Sequence, residues 1–209
     1  MPKGKLIVFE GIDGCGKDTQ ITLLGEKFAN KKYNIPFCNH RQPTNGNIGE
    51  LIRNNYLSKK TPIHEYALRL LFAADCLDHI TRPYGVIETI SMGINILCSR
   101  FYHSNIAYGA MSFDIVDMIK LNKLNRDAYT PDLTILLDID AQTALSRINN
   151  RGGEVELYEE ISKLRRVREI YLDLVEMLDE NIVVLDATLP KEELSNRIFH
   201  EAIKVGVMN

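Results

Sequence analysis

Gly11-Ile12-Asp13-Gly14-Cys15-Gly16-Lys17 is the stretch from which the rest of the chain can be read. It follows a strand-like run, Lys5-Leu6-Ile7-Val8-Phe9-Glu10. It precedes Asp18 to Asn30, where Ile21, Leu24 and Phe28 recur at helical spacing. A Gly-x-x-x-x-Gly-Lys loop between a strand and a helix is a phosphate cradle. Its glycines let the backbone curl so that successive N–H groups point inward, and the helix N-terminus adds partial positive charge. Lys17 supplies a mobile ammonium for the outer phosphates. The next residue is normally a Ser or Thr whose hydroxyl holds Mg2+. Here it is Asp18, with Thr19 behind it.

The chain has 209 residues, 45% hydrophobic and 25% charged, which suits one large α/β domain spanning 1–209. A net charge of −3 argues against a nucleic-acid partner. No apolar run is long enough to span a membrane. The four cysteines, Cys15, Cys38, Cys76 and Cys98, lie far apart and form no metal-ligand pair, which fits a reducing cytoplasm. Strands are predicted at Leu6–Phe9, Ile35–Asn39, Ile94–Cys98, Leu133–Asp138 and Ile182–Leu185. Helices are predicted between them, including Ile48–Leu57, Ile63–Thr81 with Thr61-Pro62 at its start, Ser104–Ala110, Asp114–Asn125 and Tyr158–Leu178. The apolar stripe of the 63–81 helix is read as Tyr66, Leu70, Ala73, Leu77 and Ile80. Strands alternating with helices imply a parallel sheet with helices on both faces and ligands beyond the carboxyl ends of its strands. Glu10–Lys17, His40–Pro43, Ser99–Tyr102 and Asp138–Asp140 converge on that rim.

The ordered motifs resemble the thymidylate kinase (dTMP kinase) family. They are Phe9-Glu10-Gly11-Ile12-Asp13-Gly14, Arg41-Gln42-Pro43 with Gly49-Glu50-Leu51-Ile52-Arg53, and Leu71-Phe72-Ala73-Ala74-Asp75. Ser99-Arg100-Phe101, Ser104-Asn105-Ile106-Ala107-Tyr108, Thr130-Pro131-Asp132-Leu133-Thr134 and Arg166-Val167-Arg168 with Tyr171-Leu172 complete the set over nearly the whole chain. The resemblance implies a P-loop nucleoside-monophosphate-kinase fold, a three-layer sandwich with a five-stranded parallel sheet and a small lid at about 147–158. It implies a homodimer with ATP and dTMP as substrates and Mg2+ as cofactor.

Phosphoryl transfer needs alignment and charge neutralisation more than covalent chemistry. The P-loop, Gly11 to Lys17 with Asp18 and Thr19, serves the donor, with Arg147 beside it. Arg100 and Arg41, at strand ends, suit the acceptor phosphate through their planar forks. The resemblance places Asp13 near the transferred group, Phe72 against the thymine ring, and Pro43, Arg53, Asn105 and Tyr108 on the acceptor nucleotide. It requires a lid arginine, because Gly14 and Cys15 occupy the alternative P-loop position; Arg151 is the choice. Glu10 is either a supporting residue of the site or a structural acceptor.

Several positions depart from the family pattern. Asp18 replaces the Mg2+-binding hydroxyl and Ser99 the aspartate of an Asp-Arg pair; read together they are a charge-conserving swap, with Mg2+ meeting Asp13, Asp18 and Ser99. Gln42 replaces a glutamate, and Leu157 stands where a second lid arginine often lies. Cys76 replaces the arginine that meets the thymine carbonyl. A thiol donates weakly, so either another donor reaches the base or discrimination is relaxed. Two other readings stay open at this point. One is a kinase for another acceptor, such as dUMP, another nucleoside monophosphate or a deoxynucleoside; the other is a weakly catalytic nucleotide-binding protein.

Overall fold

The computed structural model describes residues 3–58, 61–150 and 161–208. Five parallel strands, β1 (Leu6–Glu10), β2 (Phe37–Arg41), β3 (Asn95–Ser99), β4 (Leu133–Asp138) and β5 (Ile182–Asp186), lie in the order β2-β3-β1-β4-β5. The three inner strands are buried almost throughout, and the two edge strands alternate. Inner strands have helices on both faces, so they read as continuous apolar runs.

Helices α1 (Lys17–Ala29), α2 (Asn47–Leu51), α3 (Glu65–Thr81), α4 (Val86–Ser91) and α5 (Tyr102–Gly109) fill the first half. Helices α6 (Ile115–Leu121), α7 (Lys123–Ala128), α8 (Ala141–Asn149), α9 (Ile161–Met177) and α10 (Lys191–Lys204) fill the second. α1 packs on α10; α3 packs on α5, and α5 on α9. The parallel sheet and flanking helices agree with the expected fold class.

Local details differ from the sequence reading. β2 begins two residues later, at Phe37, because its pairing with Asn95–Ser99 sets the register. The single helix expected at 48–57 is α2 followed by a π-helical segment, Ile52–Leu57, with Ser58 N–H donating to Arg53 O across five residues. α3 starts at Glu65, not Ile63: the ring Nδ1 of His64 accepts from Tyr66 N–H, and Thr61-Pro62 lie outside the helix. The helix expected at 114–125 breaks at the buried Asn122, whose Nδ2 donates to the Met118 carbonyl. The predicted α3 stripe is largely turned around. Leu70 is 52% exposed and Tyr66 lies outside, whereas Leu68, Arg69, Asp75, Cys76, His79 and Ile80 are buried.

At the opposite end of the sheet from the P-loop, the side chain of Glu180 is tucked in just before β5. It accepts hydrogen bonds of 2.8 Å from Tyr102 Oη, His103 Nε2 and Arg126 Nε. Burial raises its carboxyl, but these donors outweigh burial and hold it at about 2. A depressed folded value gives stability that is present above the unfolded value of 4.5 and is lost as pH falls through about 2. Glu180→Gln should lower unfolding free energy at neutral pH by about 2–3 kcal/mol. The deficit should shrink between pH 4.5 and 2, as read from urea midpoints.

Candidate active site

The carboxyl end of β1 feeds directly into the P-loop. There Gly14 takes φ 85°, and a Cβ on it would stand 2.4 Å from the Ala144 carbonyl of α8. Glycine is therefore required both by backbone sign and by space. The loop closes around Lys17, whose Nζ donates to the carbonyls of Gly11 at 2.9 Å and Ile12 at 3.0 Å. Glu10 is buried behind it. Its Oε1 accepts from Phe101 N–H at 2.7 Å, and its Oε2 accepts from Ser104 Oγ at 2.6 Å and Tyr171 Oη at 2.9 Å. Glu10 thus ties the loop after β3, and α9, to the strand that carries the phosphate cradle.

Arg100 follows β3 with φ 66°, a left-handed conformation that costs a non-glycine residue about 1–3 kcal/mol. The surroundings fix it: Arg100 N–H donates to the Phe9 carbonyl at 2.9 Å, and Nη1 donates to Ser104 Oγ at 3.0 Å. Its Nη2 pairs with Asp13 Oδ1 and lies 3.2 Å from Tyr108 Oη, which donates to Asp13 Oδ2 at 2.9 Å. Burial raises the Asp13 carboxyl, yet the Arg100 guanidinium, the Lys17 ammonium and the Tyr108 hydroxyl together hold it at about 2. Asp13 is thus an anion between two cations, one on the P-loop and one at the end of β3.

A cleft of about 270 Å3 opens beside this pair. Of the residues singled out from the sequence, it brings together Asp13, Asp18, Arg41, Pro43, Arg53, Phe72, Ser99, Arg100, Asn105 and Tyr108. Asp18 and Ser99 meet, with Ser99 Oγ donating to Asp18 Oδ1 at 3.1 Å. Arg53 reaches the Pro43 carbonyl and Asn45 Oδ1, which fastens the π-helical segment to the loop after β2. That loop is held from the other side by the buried Asp75, which accepts from Thr44 N–H at 2.8 Å and Thr44 Oγ1 at 2.6 Å.

Other positions lie elsewhere. Cys76 is 1% exposed, inside the core and outside the cleft wall, and burial pushes its thiol far up. Thr19 lies exposed on α1. Arg147, on α8 beside Gly14, donates to the Ala187 carbonyl at 3.1 Å, bridging to the segment after β5. Arg151, Leu157 and most of the expected lid lie outside the described residues.

The cleft also contains residues to which the sequence reading gave no role: Arg69, Leu57, Phe101, Ser104 and Gln42. Gln42 Nε2 lies 3.1 Å from Nδ1 of the buried His79. Burial, with His40 and Arg82 nearby, holds His79 down at about 3, so it is neutral in ordinary buffers. Arg69 was legible in one respect, since it stands one helical turn before Phe72.

The residues present fit a divalent cation. Asp18 and Ser99 offer adjacent hard oxygen donors on the cleft wall. Among the described residues no group of three or more His, Cys, Asp or Glu side chains gathers to hold a metal by itself. Mg2+ is commonly bound by one or two side chains plus phosphate and water.

The family model described as thymidylate kinase matches residues 9–198. A protein of Pyrococcus horikoshii named probable thymidylate kinase is 37% identical over 187 residues, 87% of this chain and 88% of that relative. Another of that name from Methanocaldococcus jannaschii is 35% identical and covers 95% of both chains. A thymidylate kinase of Desulfotalea psychrophila is 36% identical over 82% of both.

Replacing Tyr108 by Phe removes one hydrogen bond to the Asp13 carboxylate while keeping a ring beneath Arg100, whose Cζ lies 5.1 Å from the ring centroid. The Asp13 midpoint should then rise above about 2 but stay below 3.8, because Arg100 and Lys17 remain. Carboxyl carbon shifts against pH measure it.

Proposed function

Because the chain belongs to the thymidylate kinase family, we propose that it transfers the γ-phosphoryl group of ATP to the 5′-phosphate of dTMP, giving dTDP and ADP. The observation that carries this reading is the Asp13–Arg100 pair, which joins the P-loop to a cleft lined by Arg41, Arg53 and Phe72. A phosphate-bearing nucleotide with a planar base fits such a cleft. Arginines meet the phosphate oxygens and the aromatic ring meets the base.

Each group then has a stated task. The P-loop amides and Lys17 hold the ATP phosphates, with Arg147 on the same side of the fold. Arg100 and Arg41 hold the acceptor phosphate, and Asp13 fixes the plane of the Arg100 guanidinium. An acceptor phosphate oxygen bonds to the γ-phosphorus as the bond to the ADP oxygen breaks, and the arginines and Lys17 offset charge on the transferred group. Asp18 and Ser99 would hold Mg2+, which would supply further charge neutralisation when bound. Arg151, from the lid, completes the cation set. Asn105, Tyr108, Pro43 and Arg53 position the acceptor nucleotide. We place the enzyme in the cytoplasm; no described helix is long and apolar enough to cross a membrane.

A coupled ADP-release assay over a panel of nucleoside monophosphates tests the reading. Turnover with dTMP should exceed that with every other acceptor, and ATP binding without turnover of any acceptor would refute it. The exchange of Asp18 and Ser99 has its own check. Asp18→Thr and Ser99→Asp should each lower kcat by about tenfold or more, whereas the double variant should regain most of the loss. Additive losses would refute the swap.

A homodimer is supported by the outward face of α3, where Leu70 is 52% exposed, and by Leu51 of α2 at 40%. Leu70→Glu should shift the protein to monomer in sedimentation velocity without lowering its helix content.

A further inference from the structure

We propose that Arg69 is the residue that selects the base of the acceptor nucleotide, taking a pyrimidine with a 4-oxo group and rejecting one with a 4-amino group. The inference rests on the kinase reading above. Arg69 is 2% exposed, a rare state for arginine, and yet it lines the cleft. Its Cζ lies 5.1 Å from the centroid of the Phe72 ring, one turn along α3. Its stem runs against α5, where a Cβ at Gly109 would come within 3.1 Å of Arg69 Cδ. The guanidinium is therefore seated on an aromatic plane at the cleft wall by packing from two helices. Cys76, further along α3, is sealed in the core, so Arg69 and Phe72 are the α3 side chains that line the cleft.

A guanidinium has only donors, so it can meet a base edge only at an acceptor. A 4-oxo group is an acceptor; a 4-amino group presents N–H against N–H. The neighbouring wall repeats the preference. Asn105 Nδ2 donates to the Arg69 carbonyl at 3.0 Å and to Asn122 Oδ1 at 3.1 Å, and a carbonyl can only accept, which fixes the amide. Its Oδ1 is buried and has no partner among the described residues. Asn105 Oδ1 thus accepts, and Arg69 donates. An N–H beside a C=O on the 4-oxo pyrimidine matches both. Cytosine, with a bare ring nitrogen beside an amino group, mismatches both.

The experiment compares kcat/KM for dTMP and dCMP in the intact enzyme and in Arg69→Gln. The variant should lose about 30-fold or more on dTMP, mostly through KM, with little change on dCMP and an unchanged KM for ATP. The dTMP-to-dCMP ratio should therefore narrow by at least about tenfold. Equal losses on the two acceptors would overturn the assignment, since a residue needed only for folding would move both alike. A second measurement needs no variant. The 4-thio analogue of dTMP keeps the ring N–H but presents a weaker acceptor, and the intact enzyme should use it about five- to tenfold less well. Equal use of dTMP and its 4-thio analogue would overturn the assignment even if Arg69→Gln fails to fold. An intact enzyme that phosphorylates no monophosphate would overturn the kinase reading instead.

Discussion

An aspartate inside a phosphate-binding loop is an electrostatic contradiction unless something holds it. Here Asp13 sits between Lys17 and Arg100, and its carboxyl is driven to about 2 despite burial. The arrangement satisfies a charge that would repel a polyphosphate. It pins the Arg100 guanidinium at the cleft wall. It also joins β1 to the end of β3 across the sheet edge where ligands collect. Arg100 holds a left-handed backbone to make this contact. Glu10, buried beneath, holds the same loop through Phe101 and Ser104. Together these links give the P-loop and the cleft a common geometry.

Much of this was legible in the residues alone. The strand–loop–helix unit from Leu6 to Ala29 follows from glycine positions and an adjacent apolar pattern, both local properties. The five strands were legible for the same reason, with edges displaced by up to two residues where pairing decided the register. The juxtaposition of Asp18 with Ser99 was also legible, because β1 and β3 had to be neighbours at the rim. The inward face of α3 was not. Its buried side carries Arg69, Asp75 and His79, and the partners of the last two, Thr44, His40 and Gln42, lie some thirty to forty residues away. A rule that assigns polar residues to water turns such a helix around. The break at Asn122 was hidden likewise, because it depends on one amide bonding the helix's own carbonyl.

The same helix explains why Cys76 and Arg69 trade significance. Asp75 and His79 anchor α3 to the loop after β2, so the helix cannot rotate freely about its axis. Arg69 and Cys76 stand seven residues apart, close to two full turns, so they share one face of α3 and differ in position along its axis: Cys76 ends in the core and Arg69 at the cleft. The sequence reading left open that another donor serves the base, and the geometry supplies a candidate one turn to the N-terminal side of the expected stacking ring.

The π-helical segment Ile52–Leu57 carries Arg53 and Leu57 to the cleft wall. Its wider hydrogen-bonding span accommodates one more residue than an α-helical turn would. A chain shortened by one residue here could close into an ordinary helix with its hydrogen bonds intact. What the wider turn adds is room for Arg53 to leave the regular helical surface and meet the Pro43 carbonyl and Asn45 Oδ1, so the length of this short coil bears directly on how the loop after β2 is held against the cleft.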